Sequence, residues 1–204
     1  MDLAAIEQTV KSYADRYDVE AATTFPLWVP LVEGRINSVL STRLSLKDGV
    51  IPIADTSREF DLPTDSLFLK QVVLWQNESE TVLQYVGEQH LVGLIKPNIT
   101  RPYYTVTNKK IRIALAVVGD GTEELRLRYE QIVPPILAAN ENWLSISNPE
   151  VYVFGLLVEL NAFVKDAEAA AAWDARFKEA LDNIENTDYR TQWSGITTLV
   201  QKVG

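Results

Sequence analysis

Pro149-Glu150-Val151-Tyr152-Val153-Phe154-Gly155-Leu156-Leu157-Val158-Glu159-Leu160-Asn161-Ala162-Phe163-Val164 is the stretch whose reading decides the fold. It is apolar almost all the way round, and a helix of that kind is buried on every side. From Val151 to Val164 it falls short of the roughly 20 residues that span a bilayer. It therefore reads as a central core helix, or as one that subunits share. Lys165-Asp166 and an alanine-rich run follow. Beyond them Trp173, Phe177, Ala180, Leu181 and Ile184 recur at helical spacing, with Asp174, Arg176, Lys178, Glu179 and Asp182 on the other side. The two segments make a helical hairpin turning near Lys165-Asp166.

Outward from this hairpin, the start of the chain is also helical. Asp2 is an N-cap, and Leu3, Ile6, Val10, Tyr13 and Tyr17 form one stripe, so the first helix ends near Tyr17. A second helix is expected from Pro30, because proline fits a first turn. Val32, Ile36, Val39 and Leu40 are its apolar stripe, and Phe25, Trp28 and Leu31 pack where it begins. Arg35 and Arg43 lie on or beside its polar side.

The period then changes to two. Ile51-Pro52-Ile53, Arg58 to Leu62, Leu67 to Trp75 and Thr81 to Val86 read as strands. Tyr103 to Val106 and Ile111 to Leu115 flank a tight turn at Asn108-Lys109. After a turn at Gly119-Asp120-Gly121-Thr122, Leu125, Leu127 and Tyr129 alternate with Arg126 and Arg128. Together with Lys110 and Arg112, these arginines mark a basic β face opposite a buried one. Pro134-Pro135 returns the chain to helix. The expected class is α+β: a helical bundle of residues 1–49 plus 132–186, interrupted by an antiparallel β-sheet unit, sandwich- or barrel-like, of residues 51–131. Residues 187–204 form an extended C-terminal tail without helical period. Its apolar groups Tyr189, Trp193, Ile196, Leu199 and Val200 suit docking, either onto the chain's own bundle or onto another subunit.

Composition narrows the chemistry. At 204 residues and 47% hydrophobic, the chain can bury a sizeable core. It has no cysteine, so neither disulfides nor thiol chemistry enter. With a single histidine, His90, expected in a loop, neither a zinc site nor a catalytic triad is expected. No phosphate loop or dinucleotide fingerprint occurs, and Asp120-Gly121 lacks the other ligands of a calcium loop. No metal and no cofactor are expected. The acidic, amphipathic start is unlike a signal peptide, so the sequons at Asn77 and Asn98 are expected to be coincidental.

The net charge of −9 argues against coating DNA. Charge is uneven: from Glu150 to Asp188 nine acids face three bases, whereas from Arg101 to Arg128 six bases face three acids. That asymmetry suits subunits meeting acidic face to basic face, and equally suits solvated surfaces. Glu159, alone in an apolar helix, is either a general acid or the partner of an arginine, with Arg35 and Arg43 as candidates.

Several stretches, in order, resemble the head-to-tail adaptor proteins of tailed bacteriophages, including the tail tubular protein A type. They are Leu31-Val32-Glu33-Gly34-Arg35-Ile36-Asn37, similar to an E-x-R-I-N pattern; Leu62-Pro63-Thr64-Asp65-Ser66-Leu67, similar to L-P-x-D; Tyr104-Thr105-Val106 with Lys110-Ile111-Arg112-Ile113; Leu125-Arg126-Leu127-Arg128-Tyr129; and Pro149 to Glu159 followed by Trp173 to Phe177. Ala114-Leu115-Ala116 departs from the family, which often has a proline there.

The resemblance implies a structural, non-enzymatic virion protein at the head–tail interface, assembled in the host cytoplasm and not membrane-bound. It implies a ring, commonly of twelve subunits, that joins the portal to the tail and continues the DNA channel. Implied partners are the portal protein, other copies of the chain, tail nozzle or fibre proteins, and genomic DNA passing without specific binding. On that reading the C-terminal residues dock the portal. Tyr152, Phe154, Gly155, Glu159, Arg35, Trp173 and Phe177 make core or subunit contacts. Two other readings stay open: a tail-associated cell-wall hydrolase acting through carboxylates, and a non-viral oligomeric binding module.

Overall fold

The computed structural model describes residues 1–15, 19–94, 102–119 and 121–194, with the backbone alone for residues 19, 21, 22, 94 and 189–194. Two compact units form: Met1–Leu44 with the chain from Val133 onward, and Ser45–Ile132.

In the first unit α1 spans Leu3–Ala14, capped by Asp2, whose carboxylate accepts the Ala5 N–H at 2.8 Å. Asp15 ends it in the left-handed region, φ 51°, and its N–H bonds back to Lys11. Tyr17 lies outside the described residues. The next helix, α2, is Val19–Val39, so it begins well before Pro30 and contains both Pro26 and Pro30. Interior prolines cost about 3 kcal/mol each. Five large apolar side chains, Phe25, Trp28, Val29, Val32 and Ile36, are buried along one face of the same helix. At about 1.5–3 kcal/mol apiece they outweigh two prolines. Both prolines sit on the exposed side, and so does Leu31, which faces outward instead of packing.

The short helices α4, Ile136–Ala139, and α5, Trp143–Ser147, lead into α6, Pro149–Phe163, with α7, Ala167–Ser194, after it. Lys165, φ 64°, makes the turn between α6 and α7. Val151, Tyr152, Leu156 and Leu157 of α6 are fully buried, as its all-round apolar character requires. The last helix continues through Thr187 to Ser194, so the segment after Thr187 starts as helix instead of extended chain.

The second unit is a nearly closed seven-stranded sheet. Its strands are β1 Leu46–Ile53, β2 Glu59–Asp61, β3 Ser66–Gln76, β4 Ser79–Tyr85, β5 Tyr103–Thr107, β6 Lys110–Ile113 and β7 Glu123–Gln131, in the order β1-β7-β3-β4-β5-β6-β2. All pairs are antiparallel except β4–β5, which is parallel. A parallel pair needs a crossover. The chain between those two strands includes α3, Glu88–Leu94, and His90 lies on this helix rather than in a loop. Leu125, Leu127 and Tyr129 of β7 join Ile53, Val72, Leu74, Ile111 and Ile113 in the core.

Candidate functional site

The segment Leu31–Asn37 fastens the helical unit. In a helix, positions i and i+4 share a face and i+2 lies nearly opposite. Glu33 and Asn37 accordingly reach the same neighbour, the chain returning at Val133. Asn37 Oδ1 accepts the Val133 N–H at 2.7 Å, and Glu33 Oε1 accepts the Ile136 N–H at 2.7 Å. Ile136 opens α4, and its N–H is one of the donors that a helix start leaves unpaired.

Glu33 is a buried carboxylate at 6% exposure. The Tyr152 hydroxyl donates to it at 3.2 Å. The Asn142 side-chain amide donates to Tyr152 Oη and to the Pro134 carbonyl, both at 2.7 Å. Asn142 also caps α5 reciprocally with Ser145: Ser145 N–H donates to Asn142 Oδ1 and Asn142 N–H to Ser145 Oγ. Burial holds the Glu33 carboxyl above its ordinary range, while the bonds from Ile136 and Tyr152 pull it down. Burial likewise pushes the Tyr152 hydroxyl up.

Arg35 turns the other way, to α6 and α7. Its guanidinium lies 3.7 Å from Glu159, is paired with Asp174, and sits 4.7 Å from the centre of the Phe177 ring. Asp174 is held below the usual carboxylate range, first by the bond from Lys178 and then by Arg35. Glu159 thus meets Arg35, one of the two arginines expected; Arg43 instead bonds Asp188. Gly155 brings α2 and α7 close: a Cβ there would stand 2.6 Å from Val32 Cγ1 and 3.0 Å from the Phe177 ring. Phe154 stacks on Trp173, and Tyr13 meets Trp173 edge-on. Tyr152, Phe154, Gly155, Glu159, Arg35, Trp173 and Phe177 therefore all contribute to packing within one chain.

A family model described as SU10 adaptor protein matches residues 1–200. The chain belongs to the SU10 adaptor protein family. It is a bacteriophage adaptor, a structural component of the virion. Among curated proteins, none matches it.

In this adaptor the expected basic β face carries internal partners. Lys110 lies 3.3 Å from Glu59 and 3.7 Å from Asp61; Arg112 is 3.4 Å from Glu59. Arg126 bonds Glu80 at 2.8 Å and Glu124 at 3.1 Å, and its guanidinium lies over the Trp75 ring at 4.3 Å. Arg128 stands 3.8 Å from Asp48. The four cations are not one strip: Arg126 and Arg128 point outward from β7, whereas Lys110 and Arg112 sit on β6 beside the short edge strand β2.

Of the expected docking residues, Tyr189 and Trp193 fall within α7, and Ile196, Leu199 and Val200 lie outside the described residues. Among the described residues no cluster of acidic and histidine side chains could hold a metal, and no helix is long and apolar enough to cross a membrane. The buried acid of the bundle is Glu33 more than Glu159, and sequence reading of the apolar α6 missed it. The available signal was Glu33's place on the same helical face as the apolar Val29, Val32 and Ile36, all of them buried.

Proposed function

We propose that this adaptor assembles as a ring, of about twelve copies as cyclic closure allows, between the portal and the tail, leaving a channel for the genome. The observation that carries this reading is where the family-like residues go. Glu33, Arg35, Asn37, Tyr152 and Gly155 each bind or pack against another part of the same chain. They build an internal scaffold of the kind a structural adaptor needs. The net charge of −9 fits a channel through which DNA slides without sticking. The C-terminal residues Tyr189, Trp193, Ile196, Leu199 and Val200 dock the portal on this reading, and tail nozzle or fibre proteins bind the opposite end. Assembly in the host cytoplasm goes with the same reading.

The experiment is native mass spectrometry of the full-length protein, alone and mixed with the portal protein of the same phage. The expected result is a portal complex heavier by one closed set of copies. An unchanged portal mass with intact protein would overturn the ring reading. A dye-release assay on peptidoglycan, expected to be negative, tests the carboxylate hydrolase.

A further inference from the structure

In the β unit, strand register gathers a set of polar groups on the face away from the core. Alternate residues of a strand point to opposite faces, and directly paired residues point to the same one. Thr105 pairs with Arg112, Thr107 with Lys110, and Arg112 on its other side with Glu59. Their sequence neighbours Tyr104, Ile111 and Ile113 go to the core. The helix α3 packs against β5 and brings Glu88 to the same place. Together they line a cleft of about 320 Å³. That is near the lower end of the roughly 300–1,000 Å³ of small-molecule sites.

The polar groups of this cleft are not spent within the unit. Thr105 is 2% exposed, and its hydroxyl has no hydrogen-bond partner among the described residues. A buried hydroxyl is normally bonded. Glu88 is exposed and has neither an ion pair nor a hydrogen bond among the described residues. Lys110 and Arg112 share the Glu59 carboxylate at 3.3 and 3.4 Å. Those contacts are longer than the roughly 2.7–2.9 Å of a charge-assisted hydrogen bond. An ammonium and a guanidinium also carry more donors than one carboxylate can take. Asp61, 3.7 Å from Lys110, has an 84% exposed side chain and stands outside the cleft.

We infer that this cleft binds a small zwitterion of the amino-acid type, with its carboxylate on Arg112, Lys110 and the Thr105 hydroxyl and its ammonium on Glu88. The inference does not rest on the ring reading. Thr105 and Arg112 are directly paired, so their Cβ atoms stand about 5 Å apart and one carboxylate reaches both. Charge selects the ligand. The lining holds two cations and two carboxylates. An isolated anion meets Glu59 and Glu88, and an isolated cation meets Lys110 and Arg112. A molecule with both signs finds an opposite charge at each end. A neutral polyol bonds the hydroxyls and leaves both charged walls without a counter-charge. None of the lining residues is aromatic or aliphatic, so an apolar ring gains no burial there.

The probes are glycine, β-alanine and γ-aminobutyrate, which carry the same two charged groups at increasing separation. Acetate, methylammonium and glycerol are the single-charge and neutral controls. Each is titrated to about 10 mM into the isotope-labelled full-length protein, followed by amide NMR; a site with a Kd of about 1 mM is then nearly full. The expected result is saturable shifts at Glu88 and from Thr105 to Arg112 with one member of the zwitterion series, and about tenfold weaker binding of every control. Glu88→Gln keeps the side chain's size at an exposed position. It is expected to bring the zwitterion down to the level of acetate while acetate itself binds more tightly. Thr105→Val keeps the shape without the hydroxyl and is expected to weaken both. Unchanged amide signals away from the cleft verify that each variant is folded. Acetate or glycerol binding as well as the zwitterions, or a zwitterion affinity that Glu88→Gln leaves unaltered, would overturn the two-ended recognition. No saturable shift at these residues with any zwitterion would overturn the site.

Discussion

Gly155 of α6 lies against Val32 of α2 so closely that a methyl group on Gly155 would stand 2.6 Å from Val32 Cγ1. The Phe177 ring closes the other side at 3.0 Å. In an exposed helix interior, replacing glycine by alanine gains up to about 1 kcal/mol. Here the added carbon must displace two buried side chains, which costs about 1–3 kcal/mol. Gly155→Ala is therefore expected to destabilise the helical unit, read as a lower urea midpoint. Adding Val32→Ala to Gly155→Ala should recover part of the loss as a favourable coupling in a double-mutant cycle. Simple additivity of the two changes would place the strain elsewhere.

Glu33 sets the sign of a pH effect. Burial raises its folded-state pKa above the ordinary 4.5. Well below 4.5 the group is protonated in both states and carries no penalty. As pH rises past 4.5 the unfolded chain ionises first, so stability falls until the folded-state pKa is passed. Glu33→Gln keeps an acceptor for the Ile136 N–H and removes this slope. Its stability relative to the unaltered protein should grow with pH across that window in urea titrations on either side of 4.5. Glu33→Leu leaves the Ile136 N–H and the Tyr152 hydroxyl without their acceptor and should cost about 1–3 kcal/mol. Asp65 and Asp174 act in the opposite sense. Lys47 and Lys178, respectively, are the main groups holding them below 3.8, so their contribution is present above that value and lost as pH falls beneath it.

Two hairpins turn on residues that are not glycine. Asn77-Glu78 has φ 51° and 58°, and Asn108-Lys109 has φ 52° and 59°. Each two-residue loop with both φ positive is a type I′ turn, which prefers Asn-Gly. An ordinary side chain in the left-handed region costs about 1–2 kcal/mol. Glycine loses more chain entropy on folding, by about 0.5–1 kcal/mol. Glu78→Gly and Lys109→Gly should each give a net gain of about 0.5–1 kcal/mol, read as a higher thermal midpoint. No change in either would mean that the existing side chains make compensating contacts.

Elements governed by local periodicity were legible in the sequence. The α6–α7 hairpin, the Asp2 cap, the Asn108-Lys109 turn and the alternation of β7 all follow from spacing within a few residues. The Arg35–Glu159 pair was legible too, because a lone acid in an apolar helix needs a cation. The start of α2 at Val19 was not, since its two prolines are overridden by tertiary burial of Phe25 and Trp28. The parallel β4–β5 pair was hidden as well, because strand direction depends on the path of the intervening chain. Glu33 was missed as the buried acid because Ile136 and Tyr152, which satisfy it, lie more than a hundred residues along the chain.

Arg43 holds the far end of α7. Its N–H and Nε donate to the two Asp188 carboxylate oxygens, each at 3.0 Å, and its NH2 group reaches the Asp188 carbonyl at 3.4 Å. The pair is largely exposed, so removing it should cost at most about 1 kcal/mol of global stability. Its effect is on direction: it fixes Asp188 on the unit, and from there α7 runs on to Ser194. Arg43→Ala is expected to leave the urea midpoint nearly unchanged and to speed amide exchange in α7 beyond Asp188. If those residues dock the portal, the same variant weakens portal binding, and deleting residues 187–204 abolishes it while the fold survives. A truncated protein that still joins the portal would move the docking surface away from the C-terminus. Unaltered exchange in Arg43→Ala would show instead that packing of Ile184 and its neighbours alone aligns the last turns of α7.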